Sequence, residues 1–280
     1  MSSHSIIFTL RACLFCVTLI ALNTASANAL TPPNAVGTIV CEGNSLGSAT
    51  VLDISHLRPK NSIGAIILTA AHLLIDNNTK LAADECWFYK GGKRTTKNRI
   101  KLDFKRSSIG KFKFSDRQQI TNLSQDWAMF YIDEKLTGVQ ALQARMLSPA
   151  KLNRFVQLGG TISHIGYSPR WGGITRSPIC QIFSPTETTM PLPEGARIDD
   201  CGAESGSSGG AIVARLNQQD FVIGLRSGSI AINQRVNQSR IGVDKNTNAH
   251  TQRAIDESML ENIKTLVAKQ VTSTPQKEQP

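Results

Sequence analysis

This chain is expected to be an all-β protein, and three observations lead there. Short apolar runs recur along it, among them Gly37-Thr-Ile-Val-Cys41, Ser48-Ala-Thr-Val-Leu52, Ala65-Ile-Ile-Leu-Thr69, Ala128-Met-Phe-Tyr-Ile132, Phe155-Val-Gln-Leu158, Thr161-Ile-Ser-His-Ile165, Ala211-Ile-Val-Ala214 and Phe221-Val-Ile-Gly-Leu225. Gly, Asn, Ser and Pro separate them, and many short strands punctuated by turns mean a sandwich or barrel. Helical periodicity is confined to the end, where Ile255, Met259, Leu260, Ile263 and Val267 recur at three- and four-residue steps. That pattern predicts one amphipathic helix over 251–270, followed by a polar tail, 271–280, whose composition predicts disorder.

The beginning of the chain reads differently. Arg11 is the only strong charge among the first 27 residues, ahead of an apolar run from Ala12 to Leu22 and two A-x-A matches, Ala25-Ser-Ala27 and Ala27-Asn-Ala29. This is the order of a secretory signal peptide, placed at 1–27. The apolar run is too short to span a bilayer, which takes roughly 20 residues. The expected product is an exported protein, periplasmic or secreted, with no transmembrane segment in its mature form.

Cleavage also removes Cys13 and Cys16, whose C-x-x-C spacing otherwise suggests redox or metal chemistry. Cys41, Cys86, Cys180 and Cys201 remain, and an even number in an exported protein favours disulfides. Three connectivities are open on sequence alone. No two of the four are close in sequence, unlike zinc ligands, so neither metal nor cofactor is expected.

The formal net charge is +10, and it is local: from Lys90 to Arg117 eleven Lys or Arg face only Asp103 and Asp116. Ile100, Leu102 and Phe104 alternate with Arg99, Lys101 and Asp103, and Lys111 to Phe114 alternate likewise. A hairpin of this kind buries its apolar side and turns a basic side to water. Its blander role is a solvated strand face; its functional role is a docking surface for an anionic partner.

Nucleophilic catalysis by serine needs a base beside the hydroxyl, an acid to orient the base, and fixed donors for the oxyanion. In Gly206-Ser-Ser-Gly-Gly210 the glycines permit a tight turn that aims the Gly206 and Ser208 N–H groups at one point. Alone this segment also resembles a flexible linker, but it runs directly into the apolar Ala211–Ala214. Among His56, His72, His164 and His250, His72 stands out because it ends a buried strand in Ile66-Ile-Leu-Thr-Ala-Ala-His72. Asp126 heads the apolar run Trp127-Ala-Met-Phe130, a poor place for an unpaired carboxylate.

Together, Leu68-Thr-Ala-Ala-His72, Asp126-Trp-Ala-Met-Phe130 and Gly206–Gly210 follow the order His, Asp, Ser at separations of 54 and 82 residues. That order separates chymotrypsin-like enzymes from subtilisins and α/β-hydrolases. From about Val36 to Val267 the chain resembles trypsin-like serine peptidases, most closely the bacterial branch that includes glutamyl endopeptidases. Ile165-Gly-Tyr167 and Val222-Ile-Gly-Leu225 fit the second half of that family. The resemblance implies two six-stranded antiparallel barrels, 28–145 and 146–250, with His72 and Asp126 from the first and Ser208 from the second. It implies a monomeric endopeptidase acting on protein or peptide substrates, with disulfides Cys41–Cys86 and Cys180–Cys201. It also places the oxyanion hole at Gly206 and Ser208 and substrate contacts at Gly202, Ala203, Arg226, Ser227 and Gly228, with Ser227 to Ser229 pairing to the substrate backbone.

The chain departs from the family at three positions. Ser207 stands where many animal members carry the Asp that pairs with a freshly cut N-terminus, so activity is expected after leader removal without a second cut. Gly202 matches the position of the Asp in trypsin's pocket, which removes the basis for Lys or Arg preference. Arg226 falls where glutamyl endopeptidases place a His that receives acidic side chains; it either does the same or pairs with Glu204, Asp199 or Asp200. The rival reading is a catalytically silent binding protein of the same fold, gripping an anionic partner through 90–117. A protease-chaperone is the third, and no length remains for an appended peptide-binding domain.

Overall fold

Contacts separate Met1–Thr31 from Pro32–Pro280, and the fold below is that of the second unit. The computed structural model describes residues 34–42, 45–59, 63–76, 79, 81–113, 120–134, 136–183, 192–229 and 249–273. The leader with Cys13 and Cys16, Phe114 to Arg117, and the tail after 273 lie outside the described residues.

The first half forms a seven-stranded antiparallel sheet from β1 (Val36–Cys41), β2 (Ser45–Leu52), β3 (Ala65–Thr69), β4 (Cys86–Tyr89), β5 (Arg99–Lys101), β6 (Ser107–Ile109) and β7 (Ala128–Ile132). Its order is β5-β4-β1-β2-β3-β7-β6. The two most apolar runs, β3 and β7, are buried throughout and pair from Ala65↔Ile132 to Thr69↔Ala128. A short helical turn, α1 (Ile120–Leu123), precedes Asp126.

The second half builds another sheet from β9 (Thr161–Ser168), β10 (Gly173–Arg176), β11 (Ile182–Phe183), β12 (Ala196–Asp199), β13 (Ala211–Leu216), β14 (Gln219–Ser229) and β15 (His250–Ala254). The order is β10-β9-β13-β14-β15-β12-β11, and β8 (Gln143–Ala144) adds to β14 in parallel. Asn217 and Gln218 close the β13–β14 hairpin with φ of 50° and 64°, the left-handed pair that a two-residue turn requires. Disulfides join Cys41 to Cys86 and Cys180 to Cys201, the pairing implied by the resemblance.

One core runs beneath the first sheet and continues to Ile165, Val213 and Leu225 of the second; a smaller one gathers Leu152, Ile162, Ile212 and Ile223. The closing helix, α3 (Glu257–Ser273), sends Met259, Ile263 and Val267 into the larger core. It starts six residues later than the expected 251 because His250–Ala254 pairs between β14 and β12, and Asp256 then caps it, accepting from Met259 N–H at 2.9 Å. Among the described residues no helix is long and apolar enough to cross a membrane.

Two expectations need correction. Phe155–Leu158 is not a strand: it ends α2 (Pro149–Gln157), which Ser148 and Pro149 start and Gly159 stops at φ 84°. The basic stretch alternates as expected, with Ile100 and Leu102 buried between exposed Arg99, Lys101 and Asp103. It is not a hairpin, however, because β5 pairs with β4 and β6 with β7. The Asp103 side chain accepts from Lys105 N–H and fixes a 3-10 turn, Phe104–Arg106, that carries the chain away from β5. Lys111 to Lys113 belong to no strand.

Candidate functional site

His72 follows β3 on a 3-10 turn, Ala71–Leu74, and its side chain is one quarter exposed. Asp126 stands just ahead of β7, the neighbour of β3, so sheet pairing alone brings the two residues together. The Asp126 carboxylate is buried and holds His72 at two points. Oδ1 accepts from the His72 backbone N–H at 2.9 Å, and Oδ2 lies 2.8 Å from Nδ1. Ring orientation and ring tautomer are thereby set by one acid. Phe112 flanks the imidazole, with ring centroids 6.0 Å apart.

Ser208 comes from the turn between β12 and β13. Gly209 adopts φ 79°, and a Cβ there would lie 2.2 Å from Ser48 O and 2.4 Å from Thr69 Oγ1, so only glycine lets this turn rest on the strand that leads to His72. Ser48 fixes the arrangement. Its N–H donates to Ser208 O at 2.7 Å, and its hydroxyl donates to Gly206 O at 2.7 Å and accepts from Tyr167 N–H at 2.8 Å. Thr69 Oγ1 in turn donates to Ser48 O at 2.7 Å, three residues before His72. Gly209 N–H donates to Arg226 O, and Arg226 N–H to Gly210 O, pinning the turn to β14. Gly206 has φ 88°, and neither its N–H nor that of Ser208 donates to an acceptor among the described residues.

Ser227 supplies a link that sequence reasoning missed. The β14–β15 register skips from Arg226↔Gln252 to Gly228↔Thr251, leaving Ser227 as the extra residue of a bulge. Bulges re-aim side chains, and here the Ser227 hydroxyl donates to Asp126 Oδ2. Its carbonyl lies 3.5 Å from Ser208 Oγ, long for a hydrogen bond. Beyond Arg226, β14 keeps β15 on one side, while pairing with β13 ends at Leu225↔Ala211, so Ser227 to Ser229 present an open edge among the described strands. Nothing in the sequence marks the bulge.

Gly202 is exposed, with no atom within 4 Å of where a Cβ would stand, and Ala203 is half-buried beside it. Arg226 is 1 % exposed and its guanidinium grips Asp199 with both arms, at 2.7 and 3.0 Å, while also donating to Cys201 O. Of the two roles weighed for Arg226, the buried ion pair is the one observed. Burial raises the Asp199 carboxyl above its ordinary value, opposed by Arg226 and by donation from Cys201 N–H and Gln252.

The two other buried histidines surround this pair. His164 lies under the Gly206–Gly210 turn, its Nε2 2.7 Å from where a Gly210 Cβ would be. Burial first, then Arg226 and His250, hold it well below its ordinary value. The carbonyls of Ser207 and Gly202 favour the charged ring, yet Nε2 closes no hydrogen bond. His250 is pushed down to about 4 by burial and by Arg226. His56 is exposed. Among the described residues no group of three His, Cys, Asp or Glu is placed to hold a metal.

No family model and no curated protein sequence matches the chain. Solved structures do. A Glu endopeptidase in complex with MPD aligns over 87% of this chain and 94% of its own, at 15% identity and a TM-score of 0.52. The thermostable serine protease AL20 from an extremophilic microorganism aligns over 86% and 98% at 14% identity, and HL collagenase over 84% and 94% at 14%, each with a TM-score of 0.52. At such identities the likeness is one of fold. The chain has the two-barrel fold of the chymotrypsin-like serine proteases.

Proposed function

We propose that this chain is an exported serine endopeptidase that hydrolyses peptide bonds through Ser208, His72 and Asp126. The observation that carries the proposal is the buried Asp126 carboxylate, which takes both His72 N–H and Nδ1 beside a glycine turn with two unused backbone donors. A carboxylate so placed leaves Nε2 of the ring unprotonated. Nε2 then accepts the Ser208 proton as Oγ bonds to the scissile carbonyl carbon, and the resulting imidazolium is stabilised by Asp126. The oxyanion is received by the Gly206 and Ser208 N–H groups. Collapse expels the amine, which takes the proton back from Nε2 and leaves an acyl group on Ser208. Water, deprotonated by His72, then releases the acid and restores the hydroxyl.

On this reading residues 28–145 and 146–250 are the two barrels, with β8 crossing to the second and β15 carrying it on to Ala254, and the cleft between them receives the substrate. The open edge of Ser227 to Ser229 pairs with the substrate backbone as an added strand. Gly202, Ala203 and Gly228 border the pocket for the side chain before the cut, and Arg226, committed to Asp199, braces its floor from beneath. Library profiling is expected to show no dominance of Glu or Asp at that position, and a strict acidic preference overturns this role for Arg226. Ser207 occupies its site with neutral hydrogen bonds, accepting from Glu204 N–H at 2.9 Å and donating to Tyr167 O at 3.3 Å. This supports activity straight after leader removal, in a secreted or periplasmic monomer.

The deciding experiment treats the mature protein with a fluorophosphonate probe beside Ser208→Ala. Labelling at Ser208 that the variant abolishes is expected; no labelling of the folded wild type defeats the enzyme reading in favour of the silent binding protein. The basic face supports an accessory role with an anionic surface. Lys93, Arg94, Lys97 and Arg99 are exposed and outside the ion pairs that engage Lys101 and Arg106. Neutralising those four is expected to abolish salt-dependent retention on an anionic matrix.

A further inference from the structure

Strand order gives the Ser208 end of the second sheet two distinct sides. β13 begins at Ala211, opposite Ile165 of β9 and Leu225 of β14. From there β14 runs on to Ser229 and β9 to Ser168, so the Gly206–Gly210 turn lies between the open edge of Ser227 to Ser229 and the β9–β10 hairpin. Tyr167 of β9 touches the turn: a Cβ on Gly206 would lie 2.9 Å from Tyr167 Cδ1. Ile174 of β10 pairs with Tyr167 and meets a 3-10 turn of the first half, Lys90–Gly92, where a Cβ on Gly92 would lie 2.9 Å from Ile174 Cγ1. Gly206, Tyr167, Ile174 and Gly92 thus form a short line leading away from Ser208 on the side opposite Ser227.

Cations gather at the end of that line. Lys90, Lys93, Arg94, Lys97 and Arg99 follow one another with no Asp or Glu between them, and Arg170 stands on the β9–β10 hairpin. Lys90 is half-buried and the other five are exposed. None of the six forms an ion pair among the described residues. The nearby acids are kept apart from them. Register places Arg99 at the Tyr89 end of β4, whereas Glu42, Glu85 and Asp103 stand at its Cys86 end. Glu204, the acid next to the hairpin, accepts from the Ser168 hydroxyl. Beside Arg170, Trp171 is 70% exposed, its ring centroid 5.2 Å from the guanidinium carbon. A large exposed aromatic among unpaired cations marks a binding surface.

We infer that this surface receives the part of a substrate that follows the cut and favours Asp or Glu there. The inference rests on the peptidase reading above and narrows the anionic partner of the basic face to the substrate itself. A chain whose residues before the cut lie along Ser227 to Ser229 crosses Ser208 and leaves past Tyr167 and the hairpin. The line from Gly206 to Gly92 is three contacts long, about 15 Å at about 5 Å each, and an extended residue covers about 3.3 Å. Lys90, Lys93, Arg94 and Arg170 are therefore met about three to five residues after the bond. Exposed pairs hold weakly one at a time, so the cations act as a group, steering an acidic segment into place. A lipid or nucleic acid surface gives no reason for the cations to sit along the path from Ser208.

Internally quenched peptides test it on the mature protein, sharing one sequence before the cut, chosen by library profiling, and carrying Asp or its isostere Asn at the third to fifth positions after it. The Asp peptide is expected to have about tenfold higher kcat/KM near about 0.01 M salt, with the ratio approaching one near about 1 M. Replacing Lys90, Lys93, Arg94 and Arg170 together by Gln should bring the low-salt ratio close to one. Because the ratio compares two peptides on one sample, partial misfolding of the variant cancels. A fluorophosphonate carries no residue after the reacting centre, so its reaction with the wild type reports on Ser208 separately. Labelling at Ser208 without an Asp preference overturns this inference and leaves the peptidase reading standing; absence of labelling overturns both. An Asp preference that survives the fourfold variant or high salt overturns the inference, as does binding to anionic vesicles or duplex DNA with an Asp-to-Asn ratio of one.

Discussion

Asp126→Asn changes very little volume and reverses the hydrogen-bond logic of the site. All three neighbours of the carboxylate donate to it: His72 N–H to Oδ1, and the His72 ring and the Ser227 hydroxyl to Oδ2. An asparagine has one acceptor to offer. If its oxygen faces the ring, its amide meets the His72 backbone N–H, and two buried donors oppose each other at about 1–3 kcal/mol. If instead the oxygen keeps the backbone N–H, the amide faces the ring and Ser227. The Ser227 hydroxyl can rotate to accept, and the ring can accept only by giving up the proton on Nδ1. That proton moves to Nε2, the atom that has to receive one from Ser208. The second arrangement breaks no hydrogen bond, so it dominates, and the active tautomer becomes the minor one. The expected loss is about 10⁴-fold in the rate of Ser208 acylation, or about 5 kcal/mol in the barrier. The second-order rate of fluorophosphonate labelling, read by mass spectrometry, measures it without a known substrate, and circular dichroism verifies the fold. A folded Asp126→Asn protein that labels within tenfold of wild type refutes the assignment of Asp126.

Arg226→Met should lower stability by about 3–5 kcal/mol in urea titrations, because it removes the ion-pair partner of the buried Asp199 and leaves it only the Cys201 N–H and Gln252 donors; a loss below about 1 kcal/mol counts against a structural Arg226. Loss of both cysteines should cost about 4 kcal/mol for Cys41–Cys86, which closes 45 residues, and about 3 for Cys180–Cys201, which closes 21, in denaturation of the double alanine variants. Acid should destabilise the fold through His250. Its folded value near 4 lies below the ordinary 6.5, so the unfolded ring binds the proton first. The stability from this ring is complete above 6.5, falls as pH drops, and stops falling below about 4. His164 is depressed in the same direction, so His250→Phe should flatten the midpoint-versus-pH curve only in part, by about 2–3 kcal/mol.

What the sequence disclosed and what it hid divide along a physical line. Strands such as Ala65–Thr69 and Ala128–Ile132 are legible because central strands of a sheet are apolar on both faces. His72 and Asp126 are legible because each stands at the end of such a strand, where charge has no business without a partner. Phe155–Leu158 misleads because four residues cannot separate a strand from the last turn of a helix; Ser148-Pro149 before it and Gly159 after it held the answer. The basic hairpin failed since alternation reports which side chains are buried and says nothing about which strand is the neighbour. The Ser227 bulge, and the choice of Asp199 among the three acids offered as partners for Arg226, depend on register between strands far apart in the chain, where no local pattern reaches.

The Ser48 bonds carry a consequence for how such a chain comes of age. Ser48 belongs to the first sheet, while the Gly206 and Ser208 carbonyls and Tyr167 N–H that it engages belong to the second half. The Asp126–Ser227 bond spans the same divide. Neither half by itself holds the turn in its working shape. On the proposed reading, activity therefore reports on docking, and a chain caught with one half folded is inert. For the exported hydrolase proposed above, maturation itself serves as the safety catch.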